Sequence, residues 1–271
     1  MSQNINTIVS RAQQGEAQAL EQLVRHIQDR VHRLAIRMLV NPELAQEATQ
    51  EILIRVVTKL STFKGDSKFE TWVYRVATNY LLSAKKVLAS DMGLTFDMFA
   101  DGLLDGLVDE NAASSEDHVM LNELRVNCTM AMMLCLDRDH RAAYVLGDVL
   151  ELDHHEAAEV LDVAPATYRK RLSRARSKVQ EFTAQSCGLV SKTAACSCPR
   201  RLPAAIANNC IASVPDVLSR AAPDYKTVRD LAARTADNLV AAKLQRATGP
   251  LSVSKDLVCE VLRIVTPPDP T

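Results

Sequence analysis

Hydrophobic residues recur every three or four positions along most of this chain, which is the spacing of α-helices that bury one face. The longest such pattern predicts one amphipathic helix, and it stops at Asn41-Pro42 because proline cannot continue a helix. A second helix is expected from about Glu43 to Leu60. Since no convincing strand pattern occurs, the sequence predicts an all-α fold. The inward residues of the first helix are Leu20, Leu23, Val24, Ile27, Val31, Leu34, Ala35 and Met38.

A third helix is predicted after Phe63-Lys64-Gly65-Asp66, a turn in which Gly65 can adopt a positive φ. Ser67 is the expected N-cap, because its hydroxyl can accept a hydrogen bond from the first turn. We expect the three helices to form a compact unit over residues 1–88. The third helix carries its large side chains at Phe69, Trp72, Val73, Val76, Tyr80 and Leu81.

The charge pattern then changes. No Lys or Arg occurs between Lys86 and Arg125, and glycines interrupt the segment. A self-repelling acidic stretch predicts a flexible linker, here residues 89–120, and composition alone favours a solubilising spacer. The acidic residues are Asp91, Asp97, Asp101, Asp105, Asp109, Glu110, Glu116 and Asp117.

The segment 153–178 predicts a helix, a tight turn and a basic helix, within a second helical unit over residues 121–184. Small apolar residues from Ala157 to Leu161 suit packing of the first helix. A short connection then leads to Pro165, whose fixed φ suits the first turn of the next helix. Leu172, Ala175 and Val179 can face inward, while cations cover the remaining surface. This layout is typical of a helix-turn-helix whose second helix enters a DNA groove, although a solvated basic helix would share the charge run.

Composition changes this picture little. The 271 residues suit about two small domains, and the formal charge of −1 means that any DNA contact depends on local segregation of charge. No segment reaches the roughly 18 apolar residues of a membrane span, and the N-terminus lacks the pattern of a secretory signal. We therefore expect a cytoplasmic protein whose seven cysteines stay mostly reduced.

Enzyme chemistry is not indicated. His154-His155-Glu156 lacks the spacing of an H-E-x-x-H metal site, and adjacent histidines on a helix point in different directions. The sequence also lacks a phosphate-binding glycine loop and a nucleophile motif. We predict that the protein is not an enzyme.

The order of these parts resembles a bacterial RNA polymerase sigma factor of the extracytoplasmic-function (ECF) type. Residues 63–86, FKGDSKFETWVYRVATNYLLSAKK, are similar to that family's second conserved region, with matches at Phe69, Thr71, Trp72, Tyr74, Arg75, Ala77 and Asn79. The helix-turn-helix is similar to the fourth region, which reads the minus-thirty-five element. The resemblance covers about two-thirds of the chain and implies a transcription initiation factor that needs no cofactor.

Promoter opening requires a surface that holds single-stranded bases, which aromatic stacking and cationic capture of phosphates supply. Trp72 and Phe69 are favoured as core residues of the three-helix unit, which leaves Asn79, Arg75 and the Phe63–Lys68 loop as the better nucleic-acid candidates. The resemblance and this chemistry together indicate the following minus-ten residues: Lys64, Lys68, Trp72, Tyr74, Arg75, Asn79 and Tyr80.

The resemblance implies two polymerase contacts, with the clamp helices of the β′ subunit and with the β flap. The second helix resembles the family helix that docks on the clamp, although a solvated helix face would look the same. The polar residues that the resemblance assigns to this contact are Gln46, Glu47, Gln50, Glu51 and Arg55.

In the basic helix, Thr167, Arg169, Lys170 and Arg171 fall where base edges are reached. Phosphate contacts are expected instead from Arg174, Arg176 and Lys178. The turn departs from the family pattern at Asp162, Ala164 and Tyr168, so the promoter sequence is not predicted. In the family the connector passes near the polymerase active-site cleft, so the acidic linker is a candidate nucleic-acid mimic.

The residues 185–271 extend beyond a minimal two-domain sigma factor. Four cysteines there, Cys187, Cys196, Cys198 and Cys210, are compatible with zinc or another thiophilic metal, with a redox pair, or with reduced packing. Val228 to Leu244 predicts one amphipathic helix and Val253 to Val265 a shorter one. We expect a regulatory or polymerase-contacting extension, and an anti-sigma protein is an open partner.

The favoured function is an initiation factor that binds core RNA polymerase and promoter DNA. The alternative is a helix-turn-helix regulator that acts without polymerase. The Phe63–Lys86 match argues against the alternative, because a simple repressor does not need a DNA-melting surface.

Overall fold

The protein is described from a computed structural model, which covers residues 5–84, 93–109, 118–211, 222–249, 251–253 and 256–265. These residues form helices and connecting turns without any strand, as the all-α prediction requires. The helices are α1 (Ile5–Gln13), α2 (Ala17–Leu39), α3 (Pro42–Thr58), α4 (Phe69–Ser83), α5 (Phe96–Leu104), α6 (His118–Ala131), α7 (Arg138–Tyr144), α8 (His154–Val160), α9 (Pro165–Ser186), α10 (Cys198–Ala207), α11 (Tyr225–Ala233), α12 (Asp237–Arg246) and α13 (Val258–Val265).

The chain divides into two compact units. Unit 1 combines residues 1–90, 153–168 and 251–271, and unit 2 combines residues 91–152 and 169–250. The predicted extension 185–271 is therefore split between the units. The predicted end of the first helical domain at residue 88 lies outside the described residues.

In unit 1, α2 contacts α1, α3 and α4 and supplies more buried apolar residues than any other helix of the unit. The predicted inward residues of α2 are all buried. The helix ends with Val40 in the left-handed region at φ 52°. The Asn41 carboxamide oxygen then accepts a hydrogen bond from the Leu44 N–H at 2.9 Å, so α3 begins at Pro42. The predicted break is confirmed, and the second helix starts one residue earlier than expected.

The turn before α4 also follows the prediction, with Gly65 at φ +84°. The N-cap prediction was wrong by one position. The helix α4 begins at Phe69, so Lys68 and not Ser67 is the capping residue. The Lys68 side chain forms no capping hydrogen bond with the helix. The burial of Phe69, 1% exposed, fixes the start of the helix through packing instead.

In unit 2, part of the predicted linker is helical. Thr95 caps α5, and the rings of Phe96 and Phe99 lie 5.1 and 5.4 Å from that of Phe182 on α9. Aromatic packing therefore holds this segment against α9, which a purely polar spacer would not do. Of the predicted linker acids, Asp91, Glu110, Glu116 and Asp117 lie outside the described residues.

The extension forms two helices where one was predicted. The Thr235 hydroxyl donates to the Leu231 carbonyl oxygen at 2.7 Å, and the backbone turns there before α12 begins. Within unit 2, α10, α11 and α12 all contact α6. In unit 1, α13 contacts α2 and α3, with an ion pair of 2.7 Å between Arg25 and Asp256. The extension is thus part of both cores.

The buried residue Arg125 explains how the extension is held in unit 2. Its guanidinium donates to the Asn122 carboxamide oxygen at 2.8 and 3.0 Å, to the Pro223 carbonyl at 3.2 Å and to the Ala247 carbonyl at 3.1 Å. Burial lowers the pKa of Arg125 to about 10. Because a buried cation is costly unless it is hydrogen-bonded, these acceptors from the extension stabilise α6.

Candidate nucleic-acid interface

A groove of about 380 Å³ runs between α3, the turn after it and α4 in unit 1. It brings together aromatic rings, an amide and three cations, the combination that binds single-stranded nucleic acid through stacking and phosphate contacts. Its lining residues include Arg55, Lys59, Thr62, Trp72, Arg75, Asn79 and Tyr80.

The aromatic side chains of the groove are held by neighbours. The Arg55 guanidinium lies 4.9 Å from the centre of the Tyr80 ring, which is cation–π geometry. Trp72 stacks against Phe69, with ring centres 5.8 Å apart, and is half-buried. The core interpretation is therefore right for Phe69 but wrong for Trp72, which presents part of its ring to the groove.

The other predicted minus-ten residues separate. Tyr74 is buried at 7% exposure on the face of α4 that packs inward, so its ring is not presented to the groove. Lys64 and Lys68 are exposed and line a second groove of about 460 Å³ beside α1. Gln13 of α1 donates to the carbonyl oxygens of Leu60 and Phe63, each at 2.9 Å, and so fixes the turn between the two grooves.

Arg75 of α4 and Lys68, which caps that helix, contact acidic residues of α8, which belongs to the same unit. Arg75 donates from Nε to the Glu159 carbonyl oxygen at 3.1 Å and from Nη2 to the Glu159 carboxylate at 2.8 Å. Lys68 donates to the Glu156 carboxylate, which raises the pKa of Lys68. The sequence contained no signal for this pairing, because it joins residues more than eighty positions apart.

On α3, one of the residues predicted to contact polymerase lines the groove, and the other four do not. Glu47 and Glu51 are exposed and Gln46 and Gln50 are half-buried, whereas Arg55 points into the groove. Lys59 and Thr62 also line the groove and were missed. The spacing of Arg55 and Lys59, four positions apart on one helix face, was the available signal.

On α9, the predicted inward residues Leu172, Ala175 and Val179 are buried, at 1% exposure or less. Two predicted DNA contacts are instead engaged by acids of unit 2. Arg176 donates from Nε to the two carboxylate oxygens of Asp148 at 2.9 and 2.8 Å, and Arg171 pairs with Asp139 at 2.7 Å. Because the Asp148 side chain is only 9% exposed, this pair anchors α9, and the Arg176 guanidinium is engaged by an acid of the same unit.

The other predicted DNA contacts on α9 are exposed to solvent. Within the described part of the chain their side chains form no ion pair, and they lie on the outer face of a 22-residue helix. Their exposure and spacing suit contacts with a DNA groove and its phosphates. The exposed residues are Thr167, Arg169, Lys170, Arg174 and Lys178.

The unusual turn before α9 has a structural reason. Asp162 adopts φ 53°, a region that Asp tolerates better than most residues. Tyr168 is fully buried, with its ring 6.0 Å from that of His154. The Asp153 carboxylate caps α8 by accepting from the N–H groups of His155 and Glu156, which lowers the pKa of Asp153.

The cysteine prediction needs a correction. Cys187, Cys196 and Cys198 line a small apolar cavity of about 40 Å³ together with Cys128, whereas Cys210 is exposed elsewhere. All are free thiols in this structure. Burial raises the pKa of Cys196 to about 11 and that of Cys198 to about 12. Among the described residues, no group of three or more His, Cys, Asp or Glu side chains is arranged to hold a metal ion.

Comparisons with known proteins agree with this geometry. A model of sigma-70 region 2 matches residues 23–88, which contain the groove, and a model of sigma-70 region 4 matches residues 127–179, which contain α8 and most of α9. The fold and these two matches define a transcription initiation factor of the sigma-70 class. Sigma factors are not enzymes and need no cofactor.

Two similar proteins are sigma factors of the ECF type. SigW, an ECF RNA polymerase sigma factor of Bacillus subtilis, is 29% identical over 67% of this chain and 97% of its own length. The ECF sigma-E factor of Escherichia coli K12 is 30% identical over 64% of this chain and 90% of its own length. The chain belongs to the ECF RNA polymerase sigma factors.

A solved structure also matches. The sigma factor RpoE of Bartonella quintana, in complex with the anti-sigma factor NepR, aligns with a TM-score of 0.42 and 20% identity, over 59% of this chain and 94% of that chain. The helices raise one further point, which concerns membranes. No helix within the described ranges is long and apolar enough to cross a membrane.

Proposed function

We propose that the groove between α3 and α4 holds the unpaired bases of a promoter minus-ten element. The observation that carries this proposal is the meeting of Trp72, Arg75, Asn79 and Tyr80 with Arg55 and Lys59 around one groove. Trp72 and Tyr80 offer surfaces for stacking, Asn79 offers a donor and an acceptor for base edges, and the cations offer phosphate contacts.

The amino-terminal half of α9 reads the minus-thirty-five element in this proposal. Thr167, Arg169 and Lys170 lie in its first turns, where a recognition helix reaches base edges. Arg174 and Lys178 lie further along the same exposed surface and bind phosphates. Arg171 and Arg176 hold the helix in place through their acid partners.

The polymerase-facing surface is the outer face of α3, where Glu47 and Glu51 are exposed. These carboxylates suit a partner helix rich in basic and polar residues, as the clamp of the β′ subunit provides in the family. In this arrangement the protein works with core polymerase in the cytoplasm. The extension, through α10 to α13, contributes to the stability of both units and so affects each DNA contact indirectly.

Reconstitution tests this proposal. Core RNA polymerase is mixed with the full chain and with a library of promoter fragments, and the transcripts are sequenced. We expect transcripts that start at defined sites, a loss of these starts with Asn79→Ala, and an altered upstream motif with Arg169→Ala. An absence of core binding in gel filtration would contradict the polymerase-dependent function and favour a regulator that acts alone.

A further inference from the structure

The extension helix α12 contacts the end of a helical segment elsewhere in unit 2. That segment is α7 continued by one π-helical turn, Val145–Val149, in which the Leu150 N–H donates to the Val145 carbonyl oxygen at 2.8 Å. We propose that Arg246, at the end of α12, is a positioning residue for promoter recognition, because it sets the place of α9 through Asp148. This inference rests on the function proposed for α9, the reading of the minus-thirty-five element.

Asp148 joins the two helices because its backbone and its side chain bond to different elements of unit 2. The Asp148 carbonyl oxygen accepts from Arg246 Nε at 2.7 Å. The Asp148 carboxylate oxygens accept from Arg176 Nε of α9 at 2.9 and 2.8 Å. Arg246 of the extension thus reaches the proposed recognition helix through one intermediate residue.

The end of the π-helical turn favours a cation at this place. The last carbonyl groups of a helix lack partners within the helix and carry the negative end of its dipole. Arg246 donates to one of these carbonyls, and its Nη1 lies 2.7 Å from the Glu151 carboxylate. Glu151 adopts φ 58°, a region that few residues other than glycine occupy. By holding Asp148 and Glu151 together, Arg246 fixes the orientation of the Asp148 side chain.

The position of Arg246 is itself fixed by the residues beside it. Gln245 is fully buried and donates from Nε2 to the Thr129 carbonyl oxygen of α6 at 2.6 Å. Earlier in α12, Val240 and Leu244 are each only 2% exposed. Because this helix end is already ordered by packing, Arg246 loses less conformational freedom when it contacts the turn.

The ion pairs of α9 determine which of its side chains face DNA. Arg176 pairs with Asp148, and Arg171 pairs with Asp139 of α7 at 2.7 Å. Residues five positions apart on a helix are about 140° apart around its axis, so the two anchors together resist rotation of α9. A rotation would move Arg169 and Lys170 away from base edges. Since base contacts specify sequence and phosphate contacts only position the protein, we expect Arg246 to affect sequence preference.

The test uses holoenzyme reconstituted from core RNA polymerase and the full chain, with promoter libraries randomised at the minus-thirty-five or the minus-ten element. Arg246→Ala should reduce the preference for the best minus-thirty-five sequence over a scrambled one by about fivefold or more, which is the effect of one mismatched base pair. The minus-ten preference should not change, because the α3–α4 groove belongs to unit 1. A smaller amount of folded protein would lower all transcripts alike, so the preference measures positioning and not stability.

Three further variants sharpen the test. The matched control is Arg229→Ala, which removes the same charge from the extension at a side chain that is 58% exposed, and it should leave both preferences unchanged. Arg246→Lys keeps a cation at the helix end but lacks the directed N–H groups of a guanidinium, so it should restore only part of the preference. Arg176→Ala with Arg246→Ala should lose no more preference than Arg176→Ala alone, since both residues act through Asp148.

An unchanged minus-thirty-five preference in Arg246→Ala would overturn the positioning role, and so would an equal loss in Arg229→Ala or losses that multiply in the double variant. If Arg246→Ala does not fold, Arg246→Lys provides the same measurement, and an unchanged preference there overturns the role. If Arg169→Ala also leaves the minus-thirty-five preference unchanged, the function proposed for α9 fails instead. A motif that changes with Arg169→Ala but not with Arg246→Ala contradicts the positioning role alone.

Discussion

The α4 groove and the outer face of α9 are both cationic, but their charges are used differently. On α9 the cations that have acid partners, Arg171 and Arg176, hold the helix in unit 2, and the other cations form no ion pair with the residues that the structure describes. On α4 the paired cation Arg75 is itself a lining residue of the groove. The comparison shows that a count of basic residues overstates the DNA-binding surface. The partner of each cation decides whether that cation anchors its helix or is able to bind DNA.

The largest expected effect breaks the groove side of this comparison. Trp72→Ala removes a stacking surface worth about 1–3 kcal/mol per base, so promoter opening by the holoenzyme should fall about tenfold to a hundredfold. Permanganate footprinting of unpaired thymines measures the opening. Tyr74→Phe is the matched aromatic control, because Tyr74 is buried and should leave opening nearly unchanged.

An effect of similar free energy, on stability instead of on DNA opening, separates anchoring from binding on α9. Arg176→Ala leaves the nearly buried Asp148 carboxylate without this partner, so we expect the free energy of unfolding to fall by about 1–3 kcal/mol. Arg174→Ala, two positions away and exposed, should change stability by less than about 0.5 kcal/mol. Urea denaturation followed by circular dichroism compares them, and equal losses for the two variants would contradict the structural role of Arg176.

Alkaline pH acts on unit 2 through its buried thiols. The pKa values of Cys196 and Cys198, about 11 and about 12, exceed the ordinary value near 9 because burial disfavours the thiolate. The folded protein then binds more protons than the unfolded chain above pH 9, so stability is complete below that pH and falls as the pH rises toward 12. Thermal unfolding between pH 8 and pH 11 measures this fall. At pH 8, iodoacetamide should label the exposed Cys210 and Cys259 well before the cavity thiols.

The smallest effect concerns the salt dependence of DNA binding by α9. Arg174→Ala should lower the slope of log affinity against log salt concentration by about 1, since one phosphate contact is lost. Arg171→Ala should change this slope less, because Arg171 already has Asp139 as its partner. Titration of duplex promoter DNA at several salt concentrations measures both slopes. A larger change for Arg171 would mean that its ion pair opens when DNA binds.

Local patterns predicted the helices well. The break at Asn41-Pro42 and the start of α9 at Pro165 depend on neighbouring residues, so both could be predicted from the sequence. Contacts between distant residues could not. Tyr74 is buried while Trp72 faces the groove, and Arg176 forms an ion pair with Asp148. The thiol cavity is lined by Cys128 and not by Cys210. All three outcomes depend on packing between distant residues, which hydrophobic periodicity does not encode. The extension has two helices instead of one because the backbone leaves the helical conformation at Ala236, with ψ 139°, and hydrophobic spacing does not reveal this break.

The hydrogen bonds of Arg125 link the folding of unit 2 to the last part of translation. One of its acceptors, the Ala247 carbonyl, is 122 residues downstream. At roughly 5–20 residues per second, a ribosome needs about 6 to 24 seconds to make that segment. During this interval α6 is outside the ribosome before its buried cation has all of its acceptors. Unit 2 therefore reaches its final state only when nearly the whole chain has been translated, and a prematurely ended chain is exposed to proteases.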